Sequence, residues 1–249
     1  KLSEEYANTV FAHSWQSCRL LSSIEPLNLG LAVYDGFLCH DGGIGTTKLT
    51  PRYGKTWQDH FDDLEQKLAD PAVNIIPGTL EGCLVKLCDT MSYIGRDIED
   101  AINMGIISRD QIPKTCLGKT NGEILTFLAC DMISESYERE YIAISQEAHD
   151  ALCLLRGFNF KQIYMHPKLK VESIKVERSF RILFEFLLRD YQKMSKKSFI
   201  WQEFLSNKPE EYVIQSEPAR MVVDYISGMT DSFFVRTLEK LIVPKRIEL

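Results

Sequence analysis

Asp89, Tyr93 and Asp97 recur every fourth residue in the stretch VKLCDTMSYIGRDIEDAI, so on an α-helix they stack along one face. At ~1.5 Å of rise per residue they span roughly 12 Å, about the length of a nucleoside with its first phosphate. Leu84, Leu87, Met91, Ile94, Ile98 and Ala101 form an opposite, apolar stripe that is expected to face a core. Two carboxylates and a phenol in register on such a helix are costly unless the carboxylates meet a cation or hydrogen-bond donors. A solvated polar face with no chemistry accounts for the spacing equally well.

Further blocks decide between these readings. Asp89-x-x-x-Tyr93-x-x-x-Asp97, continuing into Ile98-Glu99-Asp100-Ala101, resembles the D-D-I-A-Y-x-x-x-D-L-E-D-A segment of the dGTPase-like deoxynucleoside triphosphate triphosphohydrolases, a branch of the HD-domain metallohydrolases. FAHSWQSCRLL from Phe11 to Leu21 is similar to their F-x-H-N-x-Q-S-x-R-I-L helix. LNLGLAVYDGFLCHDGG from Leu27 to Gly43 is similar to L-N-L-T-x-x-x-L-E-G-I-L-K-H-N-G. Pro77 to Gly82 resembles P-S-L-E-A-Q, and Val223 to Asp231 resembles x-D-Y-I-A-G-M-T-D. Five blocks in the same order make the resemblance specific.

One block of that family is missing. Its H…H-D-x-G-H-x-P-F-x-H-x-G-E segment precedes the F-x-H-N-x-Q-S helix and supplies most metal ligands and the main catalytic histidine. Here only ten residues stand ahead of Phe11. Either the sequence is the C-terminal part of a longer protein or it is a degenerate relative without a metal site. A start at Lys1 favours the first.

The resemblance implies roles for four residues. Asp89 corresponds to the last ligand of a divalent metal ion (Mg, Mn, Fe or Ni), and a carboxylate suits such a cation. Tyr93 is expected to pack against deoxyribose, and Asp97 to accept a hydrogen bond from the sugar 3′-hydroxyl. His13 corresponds to a histidine beside the substrate phosphates that can relay a proton. Asp231 and Tyr225 fall in a pocket-closing segment and take no chemical step. A competing register reads His13, His40-Asp41 and Asp89 as a minimal H…HD…D set, with gaps of 27 and 48 residues. Against it, Asp41-Gly42-Gly43 is a turn signal, and His40 at a helix C-terminus suits the negative end of the dipole. His60, His149 and His166 have no pattern around them.

Composition narrows the classes further. A net charge of -6 argues against a dominant binder of nucleic-acid backbones. No apolar run approaches the ~20 residues of a membrane span. Seven scattered cysteines without a C-x-x-C pair read as buried free thiols of a reducing cytoplasm.

Helical periodicity dominates and strand alternation is absent. Helices are expected over Val10 to Ile24, Leu31 to His40, from Thr56 to Asp70, from a Thr79 cap to Gly105, and behind a Thr120–Glu123 capping box. Others start at Ser145, run from Lys170 to Met194 with Val171, Ile174, Phe180, Leu183, Phe184, Leu187 and Leu188 inward, open at Pro218, and cover Asp231 to Leu241. Residues 42–54 read as a loop. The fold expected is all-α, an HD-domain-like helical bundle. It is one domain over 1–249, with 1–139 as the HD core portion and 140–249 as C-terminal helical elaboration.

The activity implied is metal-dependent hydrolysis of a deoxynucleotide substrate, a deoxynucleoside triphosphate, to the deoxynucleoside and inorganic triphosphate. A cytoplasmic homo-oligomer is expected. The alternatives are a metal-free nucleotide-binding or oligomer scaffold, and another HD phosphohydrolase using His13, His40, Asp41 and Asp89.

Overall fold

Side-chain caps fix where half of the twelve described helices begin. In a computed structural model that describes residues 2–7, 10–42 and 45–244, Thr56 and Thr120 form capping boxes with Asp59 and Glu123. Thr79, Ser145, Ser198 and Thr230 each accept from a backbone N–H in the first turn, which satisfies donors a helix N-terminus otherwise leaves unpaired. Lys1, and Gly43 and Ile44 of the expected turn and loop, lie outside the described residues.

The chain is all-α apart from one short ladder. The helices are α1 Leu2–Ala7, α2 His13–Arg19, α3 Leu31–Cys39, α4 Trp57–Ala69, α5 Leu80–Asn103, α6 Asn121–Ser136, α7 Gln146–Asn159, α8 Pro167–Met194, α9 Phe199–Glu203, α10 Glu210–Gln215, α11 Pro218–Ser227 and α12 Asp231–Ile242. Strands β1 Lys48–Leu49 and β2 Ile142–Ala143 pair antiparallel. The loop expected over 42–54 thus holds a strand, at two residues too short for alternation to register.

Two compact units result, Lys1–Asn28 with Glu172–Leu249, and Leu29–Val171. The division between these units falls at 28/29 and 171/172. In the unit Leu29–Val171, Cys83, Leu87, Met91, Ile94, Ile98 and Ala101 of α5 bury against α6 and α7 residues such as Ile124, Leu128, Leu152 and Leu155. Leu84 departs from the expected stripe: it is 41% exposed and Cys83 fills the core position instead. Gly95 admits α6 at close range, since a Cβ there would stand 2.6 Å from Asn121 Oδ1 and 3.0 Å from its Cα.

In the other unit, Leu183, Phe184 and Leu187 of α8 pack with Ile200, Leu205, Tyr212, Val222 and Tyr225. Val171 and Ile174 were expected inward but are exposed, as is Phe180. The three-and-four spacing is real, yet the buried residues of α8, Leu183, Phe184 and Leu187, all lie in its second half. The first helix also differs: residues 10–12 are extended, α2 begins at His13, and Leu20–Ile24 is π-helical. All seven cysteines are free, but only Cys18, Cys39 and Cys83 are buried. Burial pushes the Cys83 thiol up to about 11.

Candidate active site on the central helix

The 24-residue helix α5 carries the candidate triad along one face. Asp89, Tyr93 and Asp97 are all half-buried. The Asp89 carboxylate forms no hydrogen bond or ion pair among the described residues, and only its backbone carbonyl is engaged, by Ser92 Oγ at 2.7 Å. Tyr93 packs its ring against the apolar core of this unit. The Asp97 carboxylate accepts a short hydrogen bond from the Tyr164 hydroxyl. Arg96, a possible partner for Asp97 within the helix, instead faces Asp100 at 3.5 Å.

Tyr164 was not singled out from the sequence. It ends the π-helical segment Phe160–Tyr164 that continues α7. Asn159, fully buried at the junction, donates through Nδ2 to Ile94 O of α5 at 2.9 Å and fastens the end of α7 to that helix. Burial, then the hydrogen bond to Asp97 and its charge, push the Tyr164 phenol well above its ordinary value, so it stays a donor. Glu99 is structural. It receives Arg109 bidentately at 2.6 and 3.1 Å and Asn121 N at 3.2 Å, and Arg109 holds its carboxyl below the usual range.

His40 and Asp41 are occupied as turn residues. His40 caps α3 and its Nδ1 lies 2.7 Å from Phe37 O. The Asp41 carboxylate pairs with buried Lys67 at 2.7 Å, and its carbonyl accepts from buried Lys86. Nearby, Lys55 bridges Asp35 at 2.6 Å and Asp63 at 2.8 Å. Burial works against the Lys55 charge, but the two carboxylates outweigh it and hold the ammonium above its ordinary value. His60, beside them, is buried with its Nδ1 unpartnered, and burial lowers its pKa. Among the described residues, no group of three His, Cys, Asp or Glu side chains could hold a metal.

His13 opens α2 in the other unit and is exposed. Three and six residues on, Gln16 and Arg19 enter a buried network around Asp224 of α11. Asp224 accepts from Gln16 Nε2 at 2.9 Å, Arg19 Nη2 at 2.9 Å, the Tyr212 hydroxyl at 2.9 Å and Arg220 Nε at 3.1 Å. The Trp15 ring lies 4.7 Å from the Arg220 guanidinium. Two of the blocks recognised in the sequence therefore meet at a structural node. In the same unit Tyr225 packs its ring on Phe204 at 5.1 Å.

Similarity to known proteins extends over nearly the whole chain. Residues 142–240 match the phosphohydrolase-associated domain. The deoxyguanosinetriphosphate triphosphohydrolase-like protein of Desulfatibacillum aliphaticivorans is 27% identical over 245 residues, covering 94% of this chain and 62% of the relative. Those of Caldanaerobacter subterraneus and Clostridium perfringens are each 28% identical, over 241 and 247 residues, with 59% and 61% of the relative covered. The chain spans about three fifths of the length of these relatives. No helix among the described residues is long and apolar enough to cross a membrane.

Proposed function

We propose that this chain, a dGTPase-like relative within the HD superfamily, supplies the sugar-recognising side and one metal ligand of a deoxynucleoside triphosphate triphosphohydrolase. The observation that carries the reading is the α5 face. It holds a carboxylate without a partner among the described residues at Asp89, a half-buried phenol one turn on at Tyr93, and at Asp97 a carboxylate oriented by Tyr164.

Asp89 fits one position of a divalent metal, which when bound polarises a phosphoryl oxygen and activates water. A catalytic metal needs about three protein ligands. The others are therefore proposed to come from polypeptide beyond this chain, in keeping with its three-fifths span of the relatives. Tyr93 would lie against the deoxyribose, where a bulky ring penalises a 2′-hydroxyl. Asp97 would accept from the 3′-hydroxyl, with Tyr164 fixing that carboxylate's direction. His13 keeps its phosphate-facing role on the resemblance alone. Assembly as a homo-oligomer belongs to the same proposal.

The test is triphosphate release from dGTP with Mn²⁺. The full-length polypeptide should turn over and lose both turnover and bound metal in Asp89→Asn, while the 249-residue chain alone should match a buffer control. Full turnover and metal in Asp89→Asn would refute the ligand role. The second reading is a metal-free nucleotide-binding scaffold, favoured by the lack of a three-ligand cluster among the described residues. It predicts that the full-length polypeptide binds dGTP without hydrolysing it.

A further inference from the structure

A cavity of about 510 Å³ opens in the unit formed by Lys1–Asn28 and Glu172–Leu249. Its volume falls in the range of small-molecule pockets, roughly 300–1,000 Å³. The walls are aromatic and apolar, lined by Phe11, Phe180, Phe184, Val223, Ile226 and Met229. Phe180 is stacked on Phe234 with ring centroids 4.3 Å apart, which holds its ring in place as a platform.

One polar group stands out on this wall. Ser3 is 4% exposed, lines the cavity, and its hydroxyl has no hydrogen-bond partner among the described residues. A buried hydroxyl left unpaired costs free energy that a ligand group can return. α1, which carries Ser3, is tied down beside the cavity. Arg181 meets the Glu5 carboxylate with two contacts of 3.0 Å, and Tyr6 lies 5.0 Å from the Phe184 ring. Arg181, a cation lining the cavity, is already neutralised by Glu5, so the lining offers an anion little.

We propose that this cavity binds a small, uncharged, flat aromatic molecule bearing one hydrogen-bonding group, its ring against Phe180 and Phe184 and its polar group on Ser3 Oγ. The site is separate from the α5 face and does not depend on the function proposed for that face.

Indole, planar and neutral with a single N–H, is the probe, followed by ligand-observed NMR titration of the intact chain. Saturable binding is expected, with weaker binding of indole-3-carboxylate. Ser3→Ala should weaken indole roughly 2- to 10-fold, the range for one neutral hydrogen bond. Val223→Phe should fill the cavity and abolish binding. If Val223→Phe does not fold, Ser3→Ala, at a helix terminus, decides the matter alone. The proposal is overturned by any one of three results: no saturable binding in the millimolar range, an affinity that survives either substitution in folded protein, or equal or tighter binding of the carboxylate.

Discussion

Removing the Asp224 side chain should unfold one unit of the chain at a much lower temperature while removing the Asp89 charge should not. Asp224 is fully buried and pairs with Arg19 at 2.9 Å and Arg220 at 3.0 Å. Arg220 is itself 8% exposed, and burial already pulls its guanidinium below the ordinary value despite the carboxylate. Asp224→Ala strands that charge, strips the Tyr212 hydroxyl of its acceptor and leaves the Gln16 amide with Ser227 Oγ alone. Breaking a buried pair from one side costs about 3–5 kcal/mol. At roughly 2–4 °C per kcal/mol for a chain of this length, the melting transition should fall by about 6–20 °C. Asp89→Asn, whose carboxylate has no partner among the described residues, should stay within about 0.5 kcal/mol. Differential scanning calorimetry gives both shifts, and hydrogen exchange of α2 and α11 amides locates the loss. Equal shifts in the two variants, or a fall of under about 3 °C in Asp224→Ala, would refute the division of labour drawn between these aspartates.

Asp97→Ala in the full-length polypeptide should raise KM for a deoxynucleotide roughly 10- to 150-fold, the worth of one charge-assisted hydrogen bond, with metal content unchanged. Tyr164→Phe keeps the carboxylate and should raise KM less; metal loss in either variant would place the ligand elsewhere on α5. Tyr93→Ala should narrow the ratio of dGTP to GTP turnover, whereas a core role alone predicts a lower melting temperature with that ratio intact. His60 is buried with a lowered pKa, so the unfolded chain binds its proton more readily than the folded one. The stability it contributes is present above its unfolded value of 6.5 and is lost as pH falls from there through the folded value. Urea titrations at falling pH should show this loss, and His60→Gln should blunt it; an identical pH slope in the variant would reject the assignment.

Local chemistry made most of the fold legible. Thr56, Thr79, Thr120 and Ser145 cap helices where short polar side chains precede apolar periodicity. Gly105, at φ +65°, follows α5 as a left-handed stop. What escaped has a physical reason in each case. The helices α1, α9 and α10 are five or six residues long, below the length at which a 3.6-residue period can be read. In α8, spacing identified the helix but not which of its turns would find a neighbour, so Val171 and Ile174 face solvent. The scattered cysteines were read as uniformly buried, yet Cys88, Cys130 and Cys153 lie on exposed helix faces.

The candidate site divides along the same line. The i, i+4, i+8 spacing of Asp89, Tyr93 and Asp97 was readable because one helix presents all three. The partner of Asp97 is 67 residues away, and those of Asp224 on α2 are more than 200 away, so neither could be read from spacing. Partners are also what separate a structural carboxylate from a functional one. Asp41, Asp63, Glu99 and Asp224 each face a cation within 4 Å, and their charge is spent on holding the fold. Asp89 shares their type and a comparable half-buried or buried setting, yet meets no cation among the described residues. That availability to a cation, more than the spacing that first drew attention to it, is what supports the metal ion proposed at Asp89.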